Sequence, residues 1–199
     1  LWAVLIGLLC MGNIDFDVDG GDKAVVIGGG PIGTLIATVA RRFGGEVVLV
    51  ELDERRRAQA ASLGFTTLDP TSVDQVAWIE EWTGGAGADV VFEVSGSAAA
   101  VRGATALAKV RGTLVVVAIH GVPREIDLQR VFWRELTIVG ARVYERADFE
   151  TAVELLAEGH IPADALITRI VPLSETAAAI ADLEQGLAMK VLVDVADAS

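Results

Sequence analysis

The run Gly28-Gly29-Gly30-Pro31-Ile32-Gly33 constrains this chain more than any other stretch. It has the form G-x-G-x-x-G and stands between two contrasting patterns. Before it, Lys23-Ala24-Val25-Val26-Ile27-Gly28 reads as a short buried strand. After it, apolar or small residues fall at Ile32, Leu35, Ile36, Val39, Ala40 and Phe43, the stripe of an amphipathic helix. Pro31 suits the first helical turn, where its missing N–H costs nothing, and Gly44-Gly45 stops the helix. Each glycine has a physical task in such a turn. Gly28 makes the tight turn, Gly30 lets the backbone approach a pyrophosphate, and Gly33 lets helix and strand pack closely. A tight strand-to-helix turn without a ligand is the competing reading.

The alternation continues along the chain. Strands are expected at Glu46–Glu51, Phe65–Leu68, Asp89–Val94, Thr113–Ile119 and Leu136–Gly140. Helices are expected from Asp53 to Gly64, Ser72 to Trp82, Ser97 to about Val110, and Asp148 to Glu158. Strands alternating with helices predict an α/β fold: a doubly wound, six-stranded parallel sheet of the Rossmann type. The composition agrees. It is 52% hydrophobic with 21 glycines and 6% aromatic, as buried parallel strands under closely packed helices require. A C-terminal strand-helix-strand extension follows Pro162, from Leu166–Val171, Glu175–Leu183 and Lys190–Val195. The expected division is an apolar N-terminal segment at 1–19, a dinucleotide-binding domain at 20–162 and a tail at 163–199. Leu1 to Met11 is too short to span a bilayer and is expected to be a buried helix or a cut end. A start at Leu1 suggests part of something longer.

Charge and cysteine usage exclude several classes. The net charge of −12 repels phosphate backbones, so no nucleic-acid partner is expected, although one helix N-terminus still binds a phosphate locally. No membrane partner is expected. Cys10 is the single cysteine, which rules out a disulfide within the chain, argues against a cysteine-based zinc site and favours a cytoplasmic setting. Asp15-Phe16-Asp17-Val18-Asp19-Gly20 has the opening of a calcium loop, but Val26 stands where a bidentate glutamate is needed, so an acidic surface turn is the better reading.

The candidate binding residues follow the glycine turn. Glu51 ends the second strand, where a carboxylate accepts from both adenosine ribose hydroxyls and repels a 2′-phosphate, favouring NAD over NADP. Arg55-Arg56-Arg57 tempers that preference, and at least two of the three are expected on a solvated face. Ser95-Gly96 lines the cleft or simply turns the chain. His120 follows the fifth strand, where ligands lie in such sheets; it borders the nicotinamide or is a loop residue. His160 is expected to be structural. Glu93 requires a partner if it is buried, and the sequence names none. No catalytic constellation is visible. Tyr144, the only tyrosine, has no lysine near it to form a Tyr-x-x-x-Lys relay.

Taken together, Gly28–Gly33, Glu51–Arg57, Thr83–Gly96 and Phe132–Tyr144 resemble the zinc-dependent medium-chain alcohol dehydrogenases, with the flavour of butanediol, sorbitol and threonine dehydrogenases. The resemblance covers about residues 20 to 195. It implies NAD as cofactor, a small alcohol or polyol as substrate, and a zinc ion that polarises a secondary alcohol while hydride passes to NAD. It implies that backbone groups near Ile119 and Val143 meet the nicotinamide carboxamide. It places Pro31 and Ile32 with Gly28, Gly30 and Gly33 at the cofactor, Arg56 near the adenosine ribose, and Lys190 near the pyrophosphate. The tail then belongs to a catalytic domain formed mainly upstream. The family's zinc ligands also lie upstream, so this chain is expected to carry no metal site and to lack turnover alone, whether it is a fragment or a natural truncation. Leu1–Asp19 matches the family poorly. The resemblance further implies homodimers joined near residues 128–140, at a sheet edge open to pairing. Two other classes share the glycine loop: a stand-alone regulatory NAD-binding module, and a zinc-free quinone reductase that would prefer NADPH.

Overall fold

The continuous apolar run of β1 (Lys23–Ile27) suits the middle of a parallel sheet, where it is flanked by β2 (Glu46–Val50) and β4 (Ala88–Glu93). The structure, a computed structural model, describes residues 20–196. The apolar run Leu1–Met11 and the acidic turn Asp15–Asp19 lie outside the described residues. With β3 (Thr66–Leu68), β5 (Ala108–Val116) and β6 (Thr137–Gly140), the strand order is β3-β2-β1-β4-β5-β6, every pair parallel. This is the expected doubly wound sheet.

Side chains alternate between the two faces of each strand, which builds two cores. On one face Val25, Val48, Val91 and Leu114 pack with Ile79 of α3 (Gln75–Trp82) and Leu107 of α4 (Ala98–Leu107). On the other, Val26, Leu49, Phe92 and Val115 pack with Ile36 of α1 (Pro31–Arg42) and Ala60 of α2 (Glu54–Ser62). Both faces are covered, so the central strands read as continuous apolar runs rather than alternating ones.

The fifth strand departs from expectation at both ends. The helix before it stops at Leu107 instead of Val110, and β5 starts at once with Ala108 paired to Ala88. The register then jumps to Val90 against Thr113, looping out the residues between, with Arg111 at φ +59°. Gly87 permits this: a Cβ there would stand 2.8 Å from the Lys109 nitrogen. At the other end β5 stops at Val116 instead of Ile119, because the N–H groups of Val117 and Ala118 both turn to the Glu93 carbonyl, at 2.9 and 3.1 Å. A short helix, α5 (Leu128–Trp133), was not foreseen; Asp127 caps it by accepting from the Arg130 N–H at 3.0 Å.

The chain divides into two compact units between Val153 and Glu154, within α6 (Arg146–Ala157). The second unit contains α7 (Ala163–Leu166), β7 (Arg169–Pro172), a 3-10 turn, α8 (Thr176–Glu184) and β8 (Val191–Asp194). Strands β7 and β8 pair in parallel, giving the expected strand-helix-strand unit.

The start of α2 illustrates the local logic. The Asp53 carboxylate accepts from the Arg56 N–H at 3.0 Å, and this bond holds its pKa below the ordinary 3.8. A depressed pKa means the cap contributes fully above the ordinary value and is lost as pH falls through the folded one. We expect Asp53→Ala to cost about 1 kcal/mol at neutral pH. In urea titrations the gap between variant and parent should close at acidic pH.

Candidate functional site

The strand order reverses between β1 and β4, and a crevice opens there beyond the carboxyl ends of the strands. A cleft of about 540 Å³ occupies it, lined by Gly28, Gly30, Gly33, Glu51, Arg56 and Ser95 among others. Pro31 and Ile32 also face this cleft.

The three glycines of the turn answer to three different constraints. Gly28 lies at φ +113°, a left-handed conformation, and a Cβ on it would meet the Ser95 nitrogen at 3.0 Å. Gly33 is forced by packing: its Cβ would stand 1.8 Å from the Gly28 carbonyl oxygen. Gly30 is required by neither. Its φ of −71° suits any residue, and a Cβ would have only Arg56 Nη1, at 3.9 Å, within reach. The space above Gly30 is therefore open toward the cleft. Helix α1 begins at this point. Its cap Gly30 offers no side chain, its first turn has no acidic residue, and Thr34 is the first residue whose N–H finds a helical carbonyl, Gly30 O at 2.9 Å. The N–H groups of Ile32 and Gly33 make no hydrogen bond with the described residues. A helix N-terminus with free donors and no competing carboxylate suits a pyrophosphate.

Glu51 stands at the end of β2 with its side chain only 10% exposed. Oε2 accepts from the Gly29 N–H at 2.7 Å and Oε1 from the Asp53 N–H at 2.9 Å. Each oxygen keeps a further lone pair for a donor in the cleft. Arg56 Nη1 lies 3.9 Å from Oε2. The neighbouring arginines separate by role. Arg55 is exposed, whereas Arg57 is a bracket, donating to the carbonyls of Glu51 and Leu52 and pairing with Asp69 at 3.1 Å. Asp69 also accepts from the hydroxyl and N–H of Thr71, at 2.6 and 2.8 Å; these bonds hold its carboxyl below the usual aspartate range. They fix the loop that brings Pro70 and Thr71 to the cleft wall. Sequence reasoning missed this wall, although its position after β3, two strands from the switch point, was available as a signal.

The remaining candidates lie apart from the glycine turn or beside it. Ser95 lines the cleft, and its main-chain N–H and hydroxyl donate to buried Glu93. His120 also bonds to Glu93, with Nε2 3.0 Å from Oε2. It lines a second cleft with Val116, Val122 and Arg124. Ile119 and Val143 stand on the loops after β5 and β6, 87% and 71% exposed. Lys190 belongs to the second unit, where its carbonyl accepts from the Thr168 N–H and hydroxyl. His160 pairs with Glu158 at 3.2 Å. Among the described residues no cluster of three or more His, Cys, Asp or Glu is placed to hold a metal ion. No described helix is long and apolar enough to cross a membrane.

Residues 31–158 match the family described as zinc-binding dehydrogenase. The chain belongs to the zinc-dependent medium-chain alcohol dehydrogenase family. It is 46% identical to 2-dehydro-3-deoxy-L-galactonate 5-dehydrogenase of Pseudoalteromonas atlantica, over 87% of this chain and 51% of that protein. It is 34% identical to a sorbitol dehydrogenase of Halalkalibacterium halodurans, over 90% of this chain and 54% of that protein. The fold superimposes on 2R,3R-butanediol dehydrogenase from Bacillus subtilis with a TM-score of 0.88 at 31% identity, covering 97% of this chain and 56% of that one. The chain thus spans about half the length of the relatives it matches. Members of this family are NAD-dependent zinc dehydrogenases. The turn, the free helix donors and Glu51 fit a dinucleotide; the described residues offer no donor set for zinc.

The contrast between Gly30 and Gly33 yields an expected outcome. Gly33→Ala should cost about 3 kcal/mol or more, because backbone must move. Gly30→Ala should cost no more than about 1 kcal/mol yet weaken NADH binding at least about tenfold. Thermal melts beside calorimetric titration separate the two effects.

Proposed function

We propose that this chain is the cofactor platform of an NAD-dependent dehydrogenase acting on a secondary alcohol or polyol. The observation that carries the reading is the Glu51 carboxylate, pinned by the Gly29 and Asp53 N–H groups at the adenosine side of the cleft. Its spare lone pairs suit the two ribose hydroxyls, and its charge opposes a 2′-phosphate. Bound NAD supplies the acceptor for a hydride from the alcohol carbon. The chain's own residues bind and orient. The N–H groups of Ile32 and Gly33 face the pyrophosphate, Arg56 flanks the ribose, and main-chain groups near Ile119 and Val143 hold the carboxamide. Lys190 is assigned to the pyrophosphate by the family resemblance. The names of the relatives support a hydroxylated small molecule as substrate, with zinc and most of the alcohol pocket contributed by residues other than those described. The 199-residue chain alone would then bind cofactor without turning over alcohol.

Calorimetry with NADH and NADPH tests the cofactor reading. NADPH should bind at least about tenfold more weakly, and Glu51→Gln should lower NADH affinity by roughly tenfold while narrowing the preference. Equal binding of the two nucleotides by the parent chain overturns the role given to Glu51.

We further infer that two copies associate through the free edge of the sheet. Among the described residues, strand β6 pairs with β5 on one side only. Beside it Leu128, Phe132 and Trp133 are 68–72% exposed, and the two aromatic rings meet edge to face at 5.1 Å. Open strand edges and large apolar patches both favour a partner. Sedimentation should show a dimer for the parent chain and a monomer for Trp133→Glu; a parent chain that stays monomeric at high concentration argues against the assignment.

A further inference from the structure

Glu93 ends β4 with no exposure to solvent, and a carboxylate in that position needs its lone pairs answered. Oε1 accepts from the Ser95 N–H at 3.0 Å, the Ser95 hydroxyl at 2.7 Å and the Gly96 N–H at 2.9 Å. Oε2 meets His120 Nε2. Taken as a carboxylate, Glu93 also accepts at Oε2. His120 then donates to it from Nε2, with Nδ1 on the far side of the ring. That Nδ1 atom is buried with no partner among the described residues, so the ring's orientation is set from the Glu93 side. The Glu93 carbonyl adds the bonds from Val117 and Ala118 already described.

One buried residue thus ties the loop after β4 to the loop after β5. The first loop places Ser95 against Gly28 and supplies Val94, Ser95 and Ser97 to the cofactor cleft. The second carries Ile119 and His120. Glu51, Pro70 and Thr71 lie at the ends of β2 and β3, on the other side of β1. We propose that Glu93 and His120 are a positioning pair that shapes the nicotinamide end of the site and leaves the adenosine end untouched. The inference rests on the NAD-binding reading above.

The test uses the 199-residue chain, NADH and ADP-ribose, which has the adenosine and pyrophosphate but no nicotinamide. Glu93→Gln and His120→Gln should each weaken NADH about tenfold and change ADP-ribose by less than about twofold. The His120 variant, altered at a partly exposed side chain, keeps the test available if Glu93→Gln does not fold. Nitrogen-15 spectra of the imidazole supply a second readout. The parent should show the Nε2–H tautomer. In Glu93→Gln the amide NH2 faces the ring, because the amide oxygen is held by Ser95 and Gly96, and the hydrogen should move to Nδ1. Parallel losses for both nucleotides, unchanged NADH affinity, or an unmoved tautomer each overturn the pairing. A parent chain that binds neither nucleotide overturns the cofactor reading itself. A parent that binds NADH no more tightly than ADP-ribose overturns only the nicotinamide role.

Discussion

The approach of helix α1 to strand β1 governs the geometry of everything above it. Gly33 sits so near the Gly28 carbonyl that no side chain fits between them. That contact fixes where the helix begins, and so where its unpaired N–H groups point. It also fixes the height of the turn relative to β2 and β4. The Glu51 clamp, the place of Ser95 against Gly28 and the mouth of the cleft inherit their positions from it. Two tightly apposed backbones serve this purpose better than side chains, because they have no rotamers through which to relax.

Much of this was legible in the linear order of residues. Apolar periodicity marked the six strands and the helices between them, since a sheet covered on both faces leaves that imprint along each strand. The glycine spacing and Glu51 were readable for the same reason: each acts within one strand-turn-helix unit. What escaped reading depends on chains meeting across the sheet. The partner of Glu93 lies 27 positions away and is adjacent only because β4 and β5 end side by side. Arg57 resembles its neighbours in sequence, yet it alone turns inward to Asp69 and two carbonyls. The looped-out residues of β5 follow from the space left by Gly87, which no propensity rule connects to them.

Charge is distributed with more discrimination than the net value of −12 suggests. The first turn of α1 holds no acid, while its last turn holds Arg41 and Arg42. Both placements complement the helix dipole, leaving the amino end electropositive within a strongly acidic chain. Glu51 is an acid near this end, and each of its oxygens accepts from one main-chain N–H group. Glu93 is treated likewise on the other side of β1, with four donors around one carboxylate. Acids near the switch point are therefore held mainly by fixed dipoles, with the Arg56 guanidinium an added counter-charge 3.9 Å from Glu51; buried this far, they should be screened little by salt.

The clamp on Glu51 also has an entropic meaning. A glutamate free in solution samples many rotamers, and immobilising it costs up to about 2 kcal/mol. Here the Gly29 and Asp53 N–H groups have already selected one. That loss belongs to folding, so an arriving hydroxyl group does not incur it again. The same rigidity means the carboxylate cannot swing aside for an additional phosphate. In the role proposed for Glu51, discrimination would be a property of the folded chain before any ligand arrives, and it should change little with temperature-driven side-chain motion while the clamp stays closed.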